Sequence, residues 1–265
     1  MSASGVSGVS DVLKDVRDVL LRGLAEGGDV RASARTALEL CESHVGVLRD
    51  VRDVRELLDG VRGHFGLCVA SPTRGGKSYL VRALAQKNII KEMLDQGRVC
   101  KVYVFSGTVQ GAVESYAGLG ALCYEFSDEL LEKFLRTRRG KSNDVLVILD
   151  DVLGTDAGTS RAVRALFSEG RHLRASCFML SQVANRVLTP LVKQQSRFIV
   201  FGDLNDRQLK MIYDEVKIRP ATTFREFCSW VDEHLVKHTF GVWDAETKRV
   251  YAVRAPSLET GALEA

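Results

Sequence analysis

The sequence predicts an α/β protein with a mostly parallel central sheet, N-terminal helices and a C-terminal β-hairpin. Three observations lead to this fold class. Short apolar runs alternate with segments of helical periodicity, which is typical of a parallel sheet covered on both faces. A glycine-rich segment separates the first of these runs from a helical pattern, and two adjacent aspartates follow a later run. The 265 residues, 45% hydrophobic and 27% charged, suffice for one globular domain with a small accessory part.

Charge and apolar patterning exclude several classes of protein. The 37 Lys and Arg residues against 34 Asp and Glu give a net charge of +3, so any basic surface for a nucleic acid must be local. The longest apolar runs, such as residues 145–149, are about a quarter of the roughly 20 residues that a membrane-spanning helix requires. The first ten residues lack the basic start and apolar core of a secretory signal. We therefore expect an intracellular soluble chain with no membrane segment.

Residues 1–62 are predicted to form an N-terminal helical segment. Apolar residues recur at helical spacing from Val12 to Leu20, before a Gly-Gly pair at residues 27 and 28. A second series extends from Val30 to Leu48 and continues toward Leu57, shortly before Gly60. Two helices follow from this pattern. They could pack on their own domain as a helical layer, or serve as an arm or coiled coil that contacts another subunit.

Residues 63–204 carry most of the predicted sheet and form the expected core. Strands are predicted at residues 66–70, 100–105, 145–149, 177–180 and 197–201. The run at residues 122–126 is either an extra strand or a loop.

Residues 205–265 are predicted to pack on this core as two helices and a hairpin. Helical patterns cover residues 206–216 and about 222–236. FGVW and RVYAVR then flank a polar turn at residues 244–247, which is the pattern of a terminal hairpin.

The segment SPTRGGKS lies between the first predicted strand and a helical pattern, and it matches the phosphate-binding loop GxxxxGK[ST] except at its first glycine. Glycines in such a loop let backbone amides turn toward phosphate oxygens, at the positive end of the following helix. The lysine contacts the β and γ phosphates, and the final hydroxyl ligates Mg²⁺. The expected nucleotide-binding residues are Ser71, Pro72, Thr73, Arg74, Gly75, Gly76, Lys77 and Ser78, with Ser78 also a metal ligand. The sequence therefore predicts a site for ATP and Mg²⁺.

Polar residues follow two later predicted strands. Asp150 and Asp151 come directly after residues 145–149, where Asp150 would hold Mg²⁺ and Asp151 could polarise the attacking water. Gln182 follows the next strand and could orient water or sense the γ phosphate, although glutamine at a solvated strand end is also common. With the phosphate loop, this arrangement predicts a P-loop NTPase of the additional-strand class, RecA-like in its sheet.

Four segments in this order carry a family resemblance: PTRGGKS (72–78), VILDD (147–151), GRHLRASCFMLSQ (170–182) and SRFIVF (196–201). The series resembles the FtsK/HerA superfamily, and within it the genome-packaging ATPases of poxviruses, other large DNA viruses and Polinton-like elements. The resemblance implies a homo-oligomeric ring that hydrolyses ATP to move double-stranded DNA into a capsid, with capsid proteins as further partners. For a viral chain it implies the host cytoplasm or the virion-assembly site.

The resemblance also implies catalytic roles for particular residues. It gives the loop and the two aspartates the roles stated above and makes Gln182 the sensor. A ring ATPase commonly needs an arginine from a neighbouring subunit, because charge spreads over phosphoryl oxygens that one protomer cannot surround. Arg171 and Arg197 are the candidates, and either could instead be a solvated surface arginine.

Contacts with DNA are expected to be non-specific and salt-dependent, made by basic side chains to phosphates. RTRRGK, residues 136–141, is the densest basic cluster and is either a DNA-binding loop or a solvated one. A second set, Arg161, Arg164, Arg171 and Arg174, could line a subunit interface. Two alternative functions stay open: a helicase or DNA pump of the same superfamily, and a nucleotide-binding assembly scaffold without hydrolysis.

Overall fold

The fold is a twisted sheet with helices on its faces. The structure is a computed structural model that describes residues 49–53, 57, 64–72, 76, 77, 80, 94–97, 99, 101–116, 119–152, 160–216, 223–236 and 238–255. The strands are β1 (Arg49–Asp53), β2 (Gly66–Ala70), β3 (Lys101–Ser106), β4 (Leu122–Glu125), β5 (Val145–Asp150), β6 (Ala175–Ser181), β7 (Ser196–Phe201), β8 (Thr239–Asp244) and β9 (Arg249–Arg254). The helices are α1 (Val109–Tyr116), α2 (Asp128–Arg138), α3 (Arg161–Glu169), α4 (Ala184–Val187), α5 (Pro190–Gln195), α6 (Asp206–Val216) and α7 (Phe224–His234).

The strand order is β1-β9-β8-β7-β2-β6-β5-β3-β4. Strands β7, β2, β6, β5, β3 and β4 run parallel to their neighbours in this part of the sheet. Strand β6 lies between β2, which leads into the phosphate loop, and β5, which ends in Asp150. This inserted strand confirms the additional-strand class, and the five strands predicted for residues 63–204 are all present.

Residues of the central strands are buried on both faces, which explains their continuous apolar runs. In β2, Cys68 and Ala70 face one apolar cluster, whereas Leu67 and Val69 face the other. Helices α2, α3, α6 and α7 pack in the first cluster, and α1 packs in the second. Full burial of one aliphatic or aromatic side chain contributes about 1.5–3 kcal/mol to the free energy of unfolding. The two clusters therefore hold the central strands, and with them the strand ends, in place.

The C-terminal hairpin is an extension of the same sheet. Strand β8 pairs antiparallel with β7, and β9 pairs antiparallel with β8, as the sequence predicts for a hairpin. The run at residues 122–126 forms β4, an edge strand parallel to β3. The proposed boundaries at residues 62/63 and 204/205 stay predictions.

The second predicted N-terminal helix is wrong over residues 49–53. These residues form β1, which pairs parallel with β9 at the edge of the sheet. The segment RDVRD contains one apolar residue, so its strand conformation depends on backbone pairing with a strand 200 residues away and not on local periodicity. Residues 1–48, which contain the first predicted helix, lie outside the described residues. Within the described ranges, no helix is long and apolar enough to cross a membrane.

Candidate functional site

The candidate site lies at the edge where four parallel strands end. The sheet register sets Asp150 of β5 opposite Ser106 of β3 and Leu180 of β6, and it sets Ala70 of β2 opposite Ser181 of β6. The phosphate loop, the two aspartates and Gln182 directly follow these strand ends. Parallel strands place their carboxyl ends at one edge, which is where ligands bind in open α/β sheets.

The phosphate loop begins with a buried serine in place of glycine. The Ser71 backbone N–H donates to the Ser181 carbonyl at 3.1 Å, and its φ is not positive, so the backbone here does not require glycine. Gly76 has a φ of +91°, which glycine adopts readily, and its carbonyl accepts from the Leu80 N–H at 2.8 Å in the first turn of the next helix. Thr73, Arg74, Gly75 and Ser78 lie outside the described residues.

Lys77 folds back onto its own loop. Its Nζ donates to the carbonyl oxygens of Ser71 at 2.6 Å and Pro72 at 3.1 Å. Burial lowers the pKa of Lys77, and the carboxylates of Asp151 and Asp150 act against that decrease. A half-buried ammonium held by neutral carbonyls can exchange them for the oxygens of an anion, so Lys77 suits a phosphate group.

Asp150 is half-buried and accepts a hydrogen bond on Oδ2 from the Tyr116 hydroxyl at 3.2 Å. Burial raises its pKa, while the Tyr116 hydrogen bond lowers it, Asp151 raises it further and Lys77 lowers it. A divalent cation would offset both the burial and the second carboxylate. Because Mg²⁺ prefers carboxylate oxygens, the residues present fit a magnesium ion at Asp150.

Asp151 is exposed and contacts Gln182. Its φ is +50°, an uncommon value for aspartate, and its Oδ2 accepts from Nε2 of Gln182 at 2.6 Å. The backbone is crowded here: a Cβ on Gly107 would lie 3.2 Å from the Asp151 carbonyl oxygen. Such strained positions cost about 1–3 kcal/mol and cluster at active sites. The structure thus brings together the proposed water-activating aspartate and the proposed sensor.

The two candidate arginines lie near the amino ends of β6 and β7, at the opposite end of the strands from the candidate site. Arg171 is in the turn before β6, and Arg197 is the second residue of β7, so a strand length of roughly 15–20 Å separates them from Asp150. Arg197 pairs with Glu246 at 2.8 Å and lies 5.0 Å from the centre of the Phe198 ring, whereas Arg171 is exposed. Neither reaches this chain's own site, so action on a neighbour's nucleotide stays a prediction.

The two arginines share a cavity of about 320 Å³. His64, Gln194 and Gln195 also line it. It lies beside the amino ends of β2 and β7, at the opposite end of these strands from the phosphate loop.

The basic cluster at residues 136–141 is partly structural. Arg138 is 5% exposed and donates to both carbonyl oxygens of Asn143 and to the Leu173 carbonyl. Exposed Arg136 and Arg139 pair with Glu132 and Glu169. Arg138 is therefore neither a DNA-binding nor a solvated residue of this loop, because it is buried and both of its terminal nitrogens donate within the fold. Arg174, of the second basic set, pairs with Asp144 at 2.7 Å.

Sequence reasoning missed Tyr116 and Gly107. Tyr116 ends α1 and lies 34 residues before its partner Asp150. A helix-terminal tyrosine carries no distinguishing motif, so only the packing of α1 beside β3 and β4 identifies it. Gly107 directly follows β3 and lies close to the backbone of Asp151. In the sequence, the local sign of this close approach is the small residue after the strand.

No protein-family model and no curated protein matches the chain. Solved structures do. The genome packaging NTPase of Sulfolobus turreted icosahedral virus 2, in complex with ATP-gammaS, aligns over 72% of this chain and 98% of its own, with 13% identity and a TM-score of 0.53. The DNA-packaging ATPase of Sulfolobus turreted icosahedral virus aligns over 72% of this chain and 98% of its own, with 14% identity and a TM-score of 0.56. This chain shares their fold.

A bacterial secretion protein has the same fold. The cytoplasmic domain of the Type VII secretion ATPase EccC from Thermomonospora curvata aligns over 75% of this chain and 26% of its own, with 12% identity and a TM-score of 0.53. The expected fold class, an additional-strand P-loop NTPase, is thereby confirmed.

Proposed function

We propose that this chain is an ATP-hydrolysing motor that translocates double-stranded DNA and packages viral DNA into a capsid. The observation that carries the proposal is the contact between Asp151 and Gln182, beside Asp150 and at the edge that Lys77 also occupies. An acidic pair, a neutral polar side chain and a loop lysine at adjacent strand ends suit phosphoryl transfer to water. The fold shared with two packaging enzymes supports the same reading.

In this proposal each residue of the site has a separate role. The loop at residues 71–78 would hold the phosphates, with Lys77 leaving its carbonyl acceptors for phosphate oxygens. Asp150 and Ser78 would hold Mg²⁺. Bound magnesium and ATP supply an electrophilic γ phosphorus and a stabilised leaving group. Asp151 would orient water and accept its proton, and Gln182 would fix the Asp151 carboxylate through its amide.

The partners in this proposal are double-stranded DNA, further copies of the chain in a ring, and capsid proteins. Arg171 and Arg197 lie near the amino ends of the strands, whereas the chain's own site lies at the carboxyl ends. A catalytic role for either arginine therefore requires a neighbouring subunit. Arg171 is the better placed of the two, because its side chain is exposed whereas Arg197 is engaged by Glu246.

The test is steady-state ATP hydrolysis with and without linear double-stranded DNA over a salt series. We expect stimulation by DNA that fades as salt rises, since contacts to phosphates release counterions. Lys77→Ala is expected to lose nucleotide affinity and turnover. Lys133→Ala, which removes an exposed lysine on α2, is the matched control and should behave as wild type. Turnover that is indifferent to DNA would contradict the motor.

The same assay separates the alternatives. Stimulation by single-stranded DNA alone, or strand separation, would indicate a helicase or another DNA pump. A scaffold without hydrolysis predicts no turnover above Lys77→Ala. The geometry favours hydrolysis over the scaffold, because Ser71 has an ordinary backbone conformation and Asp151 is exposed beside Gln182. Loss of turnover in Asp151→Ala, with nucleotide binding retained, would exclude the scaffold.

A further inference from the structure

The hydroxyl of Tyr116 touches the carboxylate to which the proposed function assigns the metal. The phenol oxygen lies 3.2 Å from Oδ2 of Asp150. We infer that Tyr116 is a positioning residue that fixes the orientation of the Asp150 carboxylate and thereby sets the affinity of the site for Mg²⁺. This inference rests on the proposed function and deepens it.

The Tyr116 ring cannot move independently of the core. Its side chain is 1% exposed and packs in the apolar cluster with Ala112 of its own helix, Ile148 of β5 and Leu180 of β6. The hydroxyl is the one polar atom of this side chain, and a buried tyrosine hydroxyl requires a partner. The apolar packing therefore holds the Tyr116 hydroxyl in a fixed position beside the Asp150 carboxylate.

The direction of this hydrogen bond is also fixed. The carboxylate oxygen is an acceptor and the phenol hydroxyl carries a proton, so Tyr116 donates and Asp150 accepts. The Asp150 carboxylate accepts on Oδ2 and its rotation is restricted. Groups that orient a metal ligand typically change metal affinity by about 10–100-fold when they are removed.

The experiment is a binding titration of a fluorescent ATP analogue, in EDTA and over a Mg²⁺ series, with wild type and Tyr116→Phe. The variant removes one oxygen and keeps the ring. We expect unchanged affinity in EDTA, where Lys77 dominates, and a Mg²⁺ requirement raised by about tenfold or more. Turnover should recover toward wild type at saturating Mg²⁺. Tyr103→Phe is the matched control, a partly buried tyrosine of β3 whose ring packs against Phe134.

Each outcome decides the inference. A merely structural Tyr116 would change the unfolding temperature and leave the Mg²⁺ requirement at the wild-type value, which overturns the proposal. An equal loss of affinity in EDTA and in Mg²⁺ also overturns it. Wild type that binds no nucleotide overturns the proposed function and this inference together. Where Tyr116→Phe does not fold, 4-fluorophenylalanine at position 116 fills the space of the hydroxyl without donating, and the same shift is required.

Discussion

At the scale of single residues, two adjacent aspartates face different surroundings because of one backbone torsion. Asp150 ends β5 with its side chain half-buried against Tyr116. The positive φ of Asp151 turns the next carboxylate outward to Gln182. The sequence predicts different roles for the two residues, and the structure gives them different surroundings: Asp150 is half-buried beside Tyr116, whereas Asp151 is exposed beside Gln182.

Gln182 is predicted to act through Asp151. Loss of a hydrogen bond to a charged group costs about 1.5–3 kcal/mol, so Gln182→Ala should lower kcat by about tenfold to a hundredfold and leave nucleotide affinity nearly unchanged. Gln182→Glu should be at least as impaired at neutral pH, because two carboxylates at this distance repel each other. Steady-state kinetics and nucleotide titration measure both effects.

The comparison with Gln182→Glu also gives the pH dependence. A like charge raises the pKa of a carboxylate, so activity of this variant should require a higher pH than activity of Gln182→Ala. Identical pH profiles for the two variants would show that Gln182 does not contact the reactive carboxylate. Gln208→Ala, a change in the first turn of α6, serves as the control for glutamine removal.

At the scale of elements, the turn between α2 and β5 is stabilised by an arginine of the densest basic cluster in the sequence. Arg138 is 5% exposed and joins the end of α2 to the turn that precedes β6. Its neighbours Arg136 and Arg139 have 73% and 67% exposed side chains in surface ion pairs. A basic cluster in the sequence therefore separates into one structural arginine and two solvated ones.

Arg138→Ala is predicted to destabilise the fold by about 2–3 kcal/mol, because it removes a buried side chain and, with it, the donor to the buried Leu173 carbonyl. Arg139→Ala should change the free energy of unfolding by less than about 0.5–1 kcal/mol, as is usual for an exposed ion pair. Urea denaturation of both variants measures the difference. DNA affinity of folded Arg138→Ala should equal that of wild type, and a selective loss of DNA binding would contradict a structural role.

Elements whose sequence is apolar on both faces were predictable, and elements stabilised by distant partners were not. Strands β2, β5, β6 and β7 carry apolar runs that only a covered parallel sheet explains. Strand β1 consists mainly of charged residues, and its pairing with β9 has no local signal. Parallel strand ends predict that Gln182 and Asp150 lie at one edge, whereas the contact of Tyr116 with Asp150 depends on how α1 packs.

At the scale of the whole molecule, the C-terminal hairpin supports the phosphate loop. A Cβ on Gly76 would lie 3.1 Å from Cζ of Phe240 in β8, so this ring lies directly against the loop. Phe240 is 1% exposed and packs in the same cluster as Leu80 and Val200. Phe240, which follows position 204, is thus part of the framework of the proposed nucleotide site, although the segment contributes none of the proposed catalytic side chains.

Phe240→Leu is therefore predicted to weaken nucleotide binding without touching phosphate. The smaller side chain removes the surface on which Gly76 rests, and a loss of roughly threefold to tenfold in affinity corresponds to about 0.7–1.4 kcal/mol. Phe227→Leu is the matched control, because Phe227 is equally buried but packs in the other cluster against Phe201 and Trp230.

Both leucine variants should lose about 1–2 kcal/mol of stability, and only Phe240→Leu should lose affinity. Chemical denaturation and nucleotide titration at a temperature where both are folded give the two quantities. Equal affinities in the two variants would mean that the loop holds its shape without the hairpin. A selective loss would mean that any change in the position of the hairpin, for example on contact with a partner, alters nucleotide binding on the opposite side of β7.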